Sequence, residues 1–306
     1  MTQIIFALAP VFLLIIAGYA IKRMGLVADA FWGPAERLTY YLFFPALLVH
    51  SIAAAEIEGG QVGPMAAALL GGVAAAAALA YRLRAVLKLD GPAFTSLYQG
   101  SFRPNTYVAI AAAAALFGDR GLALIALGIV VVVPTVNLIS VLAMVRHASA
   151  PGGPSGWRRA VLGVAANPLI LACLAGILIN ASGQGLPAVI GPLLETLGRA
   201  ALPIALLAVG AGLSLGAAHK AVATVAAATA IKLAVLPLVV LVLTRAVGLE
   251  GMGAAICVMY ASVPGSPSSY ILARQMGGDG ELMAGIITAT TLAAMAAMPF
   301  WVIIAG

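Results

Sequence analysis

The sequence predicts an all-α polytopic membrane protein, with ten transmembrane helices arranged as two inverted five-helix repeats. Three observations predict it. Hydrophobic residues make up 63% of the chain and charged residues 8%, against about 25% charged in an ordinary soluble domain, so there is too little polar surface to face water. The chain nearly repeats itself: Pro10, Gly18, Gly33, Pro34 and Pro45 return 158 residues later as Pro168, Gly176, Gly191, Pro192 and Pro203. At an offset of 160, Leu89, Gly91, Pro104, Gly118, Asp119 and Leu122 return as Leu249, Gly251, Pro264, Gly278, Asp279 and Leu282. Each copy holds five apolar segments, and an odd number of crossings turns the second copy upside down, as in many secondary transporters.

A spanning helix needs about 20 mainly apolar residues, and charges, glycines and prolines divide the chain into segments of that length. The first, 3–21, follows Met1-Thr2-Gln3 with no basic region and no small-residue cleavage site, so it reads as a retained helix. The second, 34–55, carries Pro45, and the third, 61–81, holds the alanine run 74–78, whose small side chains permit close helix approach. The fourth, 93–117, contains Pro104, and the fifth, 121–145, has no acidic residue. The second half repeats the series at 160–180, 188–214, 219–244, 252–276 and 281–304. The halves are thus 1–145 and 160–306, joined by the linker 146–159, where Pro151, Gly152, Gly153, Pro154 and Gly156 make a flexible composition.

Cytoplasmic loops retain Lys and Arg. Eleven of them, from Lys22 and Arg23 through Arg146, Arg158 and Arg159 to Lys220 and Arg274, flank one side, and Arg120 and Arg245 flank the other. Both termini are therefore expected outside and the linker in the cytoplasm. The net charge of +6 is scattered between apolar runs, without the clustered face that nucleic-acid binding needs. Cys173 and Cys257 match no ligand spacing and are read as small packed hydrophobes. No cofactor or metal is expected.

The fourth and ninth segments carry the strongest local signal. Each has a mid-segment proline, within Ser101-Phe102-Arg103-Pro104-Asn105-Thr106 and Ser262-Val263-Pro264-Gly265-Ser266-Pro267-Ser268-Ser269. Such a proline removes a backbone donor and clashes with the preceding turn, and in lipid the freed carbonyls need protein or water partners. Each half-helix that starts after the break presents free N–H groups and a partial positive end. With Arg103, the donors Asn105 and Thr106, and the hydroxyls of Ser266, Ser268 and Ser269, the set suits an anion. A carboxylate fits best, because Arg offers two parallel donors matched to its oxygens.

Other polar residues fall inside the apolar segments. Lys232 lies midway along the eighth, where a charge is costly unless paired or wetted; it is read as balancing substrate charge or carrying a coupled proton, with a structural pairing to Asn137 as the alternative. Glu195 and Arg199 stand four apart and are expected to pair on one helix face, while Arg199, at the repeat position of Tyr41, is the other candidate guide for an incoming anion. His50 is read as interfacial. Tyr40, Tyr41, Trp32 and Trp301 lie near segment ends, as aromatic belts do.

Arg103-Pro104-Asn105-Thr106, Phe43-Phe44-Pro45-Ala46-Leu47-Leu48 and Ser262-Val263-Pro264 resemble motifs of the auxin efflux carrier family, the bacterial relatives of the plant PIN-formed auxin exporters, and the likeness runs along the whole chain. The resemblance implies a ten-helix fold similar to the bile acid sodium symporters, with helices 4 and 9 crossing at their unwound centres at the membrane midplane. It implies a scaffold domain of 1–55 plus 160–214 and a transport domain of 61–145 plus 219–306 that moves as an elevator. It further implies organic anion substrates, auxin-like or malonate-like, bound by Pro104, Asn105, Pro264, Gly265 and neighbouring serines, with Pro45 and Pro203 shaping the scaffold helices. The short linker departs from plant members, whose long hydrophilic loop is absent, so regulation by loop phosphorylation is not expected.

The reading is thus a secondary active or facilitative transporter of small organic anions in the plasma (inner) membrane of a bacterium. Expected partners are the anion, the bilayer, H+ or Na+, and a second copy of the chain in a homodimer. The alternatives are a sodium-coupled symporter of bile acid type and a cation or proton antiporter, the latter weakened because residues 121–145 lack Asp and Glu. An intramembrane enzyme is not expected, since the sequence has no His-Glu-x-x-His helix and its aspartates are confined to loops.

Overall fold

The computed structural model describes residues 2–54, 59–148, 167–217 and 221–306. Linker residues 149–159, with Arg158 and Arg159, lie outside the described residues, as do 160–166 at the start of the sixth expected segment and Lys220. In chain order the α-helices are α1 (Thr2–Arg23), α2 (Asp29–Leu38), α3 (Phe44–Ala53), α4 (Val62–Val86), α5 (Gly91–Gly100), α6 (Thr106–His147), α7 (Pro168–Ser182), α8 (Ile190–Ala211), α9 (Val222–Ala230), α10 (Leu236–Ala246), α11 (Gly251–Ser262), α12 (Ser268–Met276) and α13 (Gly280–Ala305). Among the described residues there is no named strand.

Among the described residues, six helical runs are long and apolar enough to cross a membrane: Ile4–Arg23, Val62–Val86, Thr106–His147, Ile190–Ala211, Val222–Ala246 and Gly280–Ala305. Their outward faces stay apolar, with Phe6, Leu13 and Val242 all exposed. An unbroken α6 would be about 63 Å long, twice a hydrocarbon core of about 30 Å. Gly118 interrupts it at φ 58°, ψ −147°, a conformation open mainly to glycine. This is where the sequence places the boundary between its fourth and fifth segments.

Two π-helical turns follow from proline. Thr39–Phe43 joins α2 to α3 two residues before Pro45, and Ile231–Val235 joins α9 to α10 two residues before Pro237. A proline has no N–H to give the carbonyl four residues earlier, which at the second turn is Leu233. That carbonyl accepts instead from Trp301 Nε1 at 2.7 Å. Trp301 is thus buried and bonded. Trp301→Phe should leave the Leu233 carbonyl without its partner at a cost of about 1–3 kcal/mol, visible as a lower melting temperature in detergent.

The chain divides into two compact units. The first comprises Met1–Gly59, Tyr107–Val130 and Ala165–Gly212. In it α1 packs on α8 and α3 packs on α7, so the first segment of each half lies against the second segment of the other. Glycines allow both approaches: a Cβ on Gly18 would meet Leu207 O at 2.0 Å, one on Gly210 would meet Ile15 O at 1.8 Å, and one on Gly176 would meet Ile52 Cβ at 2.8 Å. The repeated pair Gly18 and Gly176 therefore serves one purpose twice.

The second unit comprises Gly60–Thr106, Val131–Val164 and Leu213–Gly306. Here α4 packs on α10 through Gly71 and Gly72, whose missing Cβ atoms make room for Leu243 and Val240. Leu97, Val225, Ala228, Ala273, Met283 and Ile286 form part of its buried core. Asp90 and Asp279 cap α5 and α13 by accepting from Ala93 N and Leu282 N, each at 2.9 Å, which satisfies N–H groups orphaned at the helix starts. At the other end of α4, Arg84 Nη1 lies 2.8 Å from His147 Nδ1 and its guanidinium sits 5.0 Å from the Phe94 ring centroid.

Candidate functional site

The site is built where two helical paths of the second unit stop. Helix α5 ends at Gly100 and α6 begins at Thr106; α11 ends at Ser262 and α12 begins at Ser268. Between these ends Val263 is extended, at φ −65° and ψ 155°, as the residue before a proline prefers. Pro104 and Gly265 form an isolated antiparallel bridge. Asn105 N donates to Pro264 O at 2.8 Å, and Ser266 N donates to Arg103 O at 3.2 Å. Backbone groups freed by each break are thus paired with the other, which removes much of the cost of irregular backbone away from water.

A third element supports the pairing. Gly265 N donates to Thr290 Oγ1 at 3.1 Å, and that hydroxyl donates back to Ile286 O at 2.8 Å within α13. Thr290→Val would leave the buried Gly265 N–H without its acceptor. It should destabilise the protein by about 1–3 kcal/mol, measured as a fall in melting temperature, while Thr290→Ser, which keeps the hydroxyl, retains most of the stability.

Around this bridge the structure gathers most of the residues singled out from the sequence. Arg103 is 5% exposed, and its Nη2 donates to Ser268 Oγ at 2.9 Å. Ser268 Oγ shares a further 2.9 Å hydrogen bond with Ser266 Oγ. Ser268 is exposed, Ser266 and Thr106 are half-buried, and Asn105 and Ser269 are buried. The guanidinium therefore ends a chain of neutral hydroxyls leading to the surface of the unit. Among the described residues Ser269 Oγ is buried without a hydrogen-bond partner, a polar atom beside the bridge with bonding capacity to spare.

The charge balance favours an anion. The acidic residues of this unit are Asp90, Glu250, Asp279 and Glu281, all at helix beginnings. Two cations, Arg103 and Lys232, lie inside it, and Lys232 is fully buried. Lys232 Nζ donates to Ala261 O at 2.7 Å. Asn137 is half-buried, and among the described residues no hydrogen bond joins it to Lys232.

The scaffold-side candidates belong to the first unit and form no such cluster. Tyr41 is 62% exposed and makes an edge contact with Tyr40 at 5.2 Å between ring centroids. Pro45 opens α3 and Pro203 lies within α8. Arg199 Nη2 pairs with Glu195 Oε1 at 2.5 Å on an exposed face, the i, i+4 pair expected from their spacing.

Sequence reasoning did not find Thr290 as the support of the bridge, nor Ala261 as the partner of Lys232. One signal was present: Thr288, Thr290 and Thr291 interrupt an apolar segment, and all three are buried.

Residues 157–302 match the model of a family described as membrane transport protein. A curated relative from Methanothermobacter thermautotrophicus, described as an uncharacterized transporter, is 22% identical over 298 residues, a span covering 96% of each chain.

Proposed function

The chain belongs to the auxin efflux carrier-like membrane transport family, and from that premise we propose that it carries small organic anions, carboxylates of auxin-like or malonate-like size, across the membrane. The observation that carries this reading is Arg103, almost fully buried at the paired helix breaks and hydrogen-bonded to the neutral hydroxyl of Ser268. In a poorly solvated setting a guanidinium gains most from a carboxylate that accepts two parallel bonds. The N-terminal ends of α6 and α12, which start directly after the breaks, add favourable dipoles. Asn105, Thr106, Ser266 and Ser269 supply further polar contacts, and Gly265 lets backbone approach closely.

In this reading the chain crosses the membrane ten times as two inverted repeats, with both termini outside. The reciprocal packing of α1 on α8 and α3 on α7 supports the inversion, because each contact is the other with the halves exchanged. Transport proceeds by elevator-type alternating access, in which the bridge moves as one body: its cross-bonded backbone and Thr290 strut resist internal deformation.

A thermal-shift screen of mono- and dicarboxylates on purified protein tests the assignment. A hit should raise the melting temperature by mass action, and Asn105→Ala should reduce that shift. Equal shifts in parent and variant would move the site elsewhere.

A further inference from the structure

Helix α11 stops at Ser262 because Val263 is extended and Pro264 follows. The last carbonyls of a helix lack intrahelical partners and carry its partial negative pole. Ala261 O is one of them: its helical donor would be the N–H of residue 265, and Gly265 N is turned to Thr290 Oγ1 instead. Lys232 Nζ takes that carbonyl at 2.7 Å. The lysine comes from the π-turn Ile231–Val235, a widened turn that re-aims side chains and is enriched at functional sites. Trp301, by capping Leu233 O, holds this turn open.

A small cavity adjoins the ammonium and the bridge, lined among others by Phe102, Pro104, Lys232, Tyr260 and Ala261, with about 10 Å³ for a water's centre. That is the room one water needs. Carriers with interrupted helices place their coupling Na+ at such C-terminal carbonyls of half-helices.

We propose that the Lys232 ammonium is a tethered cation that occupies the monovalent-cation position at the C-terminal pole of α11, so that the carrier binds no Na+ there. The acidic side chains of this unit stand at helix beginnings, so the charge is met by the helix pole through Ala261 O and not by a carboxylate on α9, α10 or α11. One consequence is that Lys232 moves with the bridge through every state of the cycle, where a sodium symporter loads and releases its ion.

This inference rests on the bridge being the transport site, yet its test needs no anion and so can fail separately. Purified Lys232→Ala lacks the atoms of one n-propylammonium, and the melting temperature should fall by about 5 °C or more. n-Propylammonium chloride should recover most of that loss, whereas the neutral 1-propanol, of the same size, should not; a response to the alcohol as large as the response to the amine overturns the proposal. The wild-type protein gives an arm that needs no variant. Its melting temperature should be the same in sodium chloride and choline chloride, and stabilisation by sodium would overturn the proposal.

Discussion

Arg103→Ala is expected to weaken carboxylate binding about 100-fold, with uptake at low substrate falling in proportion. A pair of charge-assisted bonds to one carboxylate is worth about 3 kcal/mol net, and about 1.4 kcal/mol is a factor of ten. The side chain is 5% exposed, so water cannot take over its role. Arg103→Lys keeps the charge but loses the fork, and should recover only part of the affinity. Titration of the best screening hit against the three proteins checks this. Affinity that is unchanged in Arg103→Ala would separate the guanidinium from the substrate.

Gly210→Leu is expected to cost the most stability. A Cβ there would lie 1.8 Å from Ile15 O and 2.9 Å from Tyr19 N, and both atoms belong to the backbone of α1. Backbone cannot swing away as a side chain can, so α1 and α8 must separate along their contact. Overpacking of this kind costs about 3 kcal/mol or more, beyond what a marginally stable protein tolerates easily. The expected result is loss of monodisperse protein after extraction. Gly33→Ala is the control: a Cβ there meets nothing within 4 Å, and alanine is about 1 kcal/mol the better helix former, so melting should stay the same or rise.

Much of this architecture was legible in the sequence because its determinants are local. A proline removes a backbone donor from its own turn, and although Pro203 and Pro299 lie within helices, the repeated pair Pro104 and Pro264 marked the two breaks of the candidate site before any packing was known. Glu195 with Arg199 announced an ion pair from spacing alone. The rest depends on which segments meet. Nothing within residues 222–246 says that Lys232 reaches a carbonyl of α11, because that contact joins positions 29 apart in the chain. Likewise, the threonines of α13 could be seen as unusual, but their task could not, since a hydroxyl on an apolar helix serves its own backbone equally well. The partner of Trp301 was hidden for a related reason: only the π-turn before Pro237 creates the buried carbonyl that its indole reaches.

Counterflow in proteoliposomes tests the central claim most directly, once the screen has supplied a carboxylate. Vesicles loaded with unlabelled anion and diluted into a trace of labelled anion should accumulate label transiently above its equilibrium level. The effect should saturate with internal concentration and be lost in Arg103→Ala. A carrier that presents one site alternately to each side must behave this way. Label that only equilibrates, at a rate linear in concentration and indifferent to Arg103, would contradict the account.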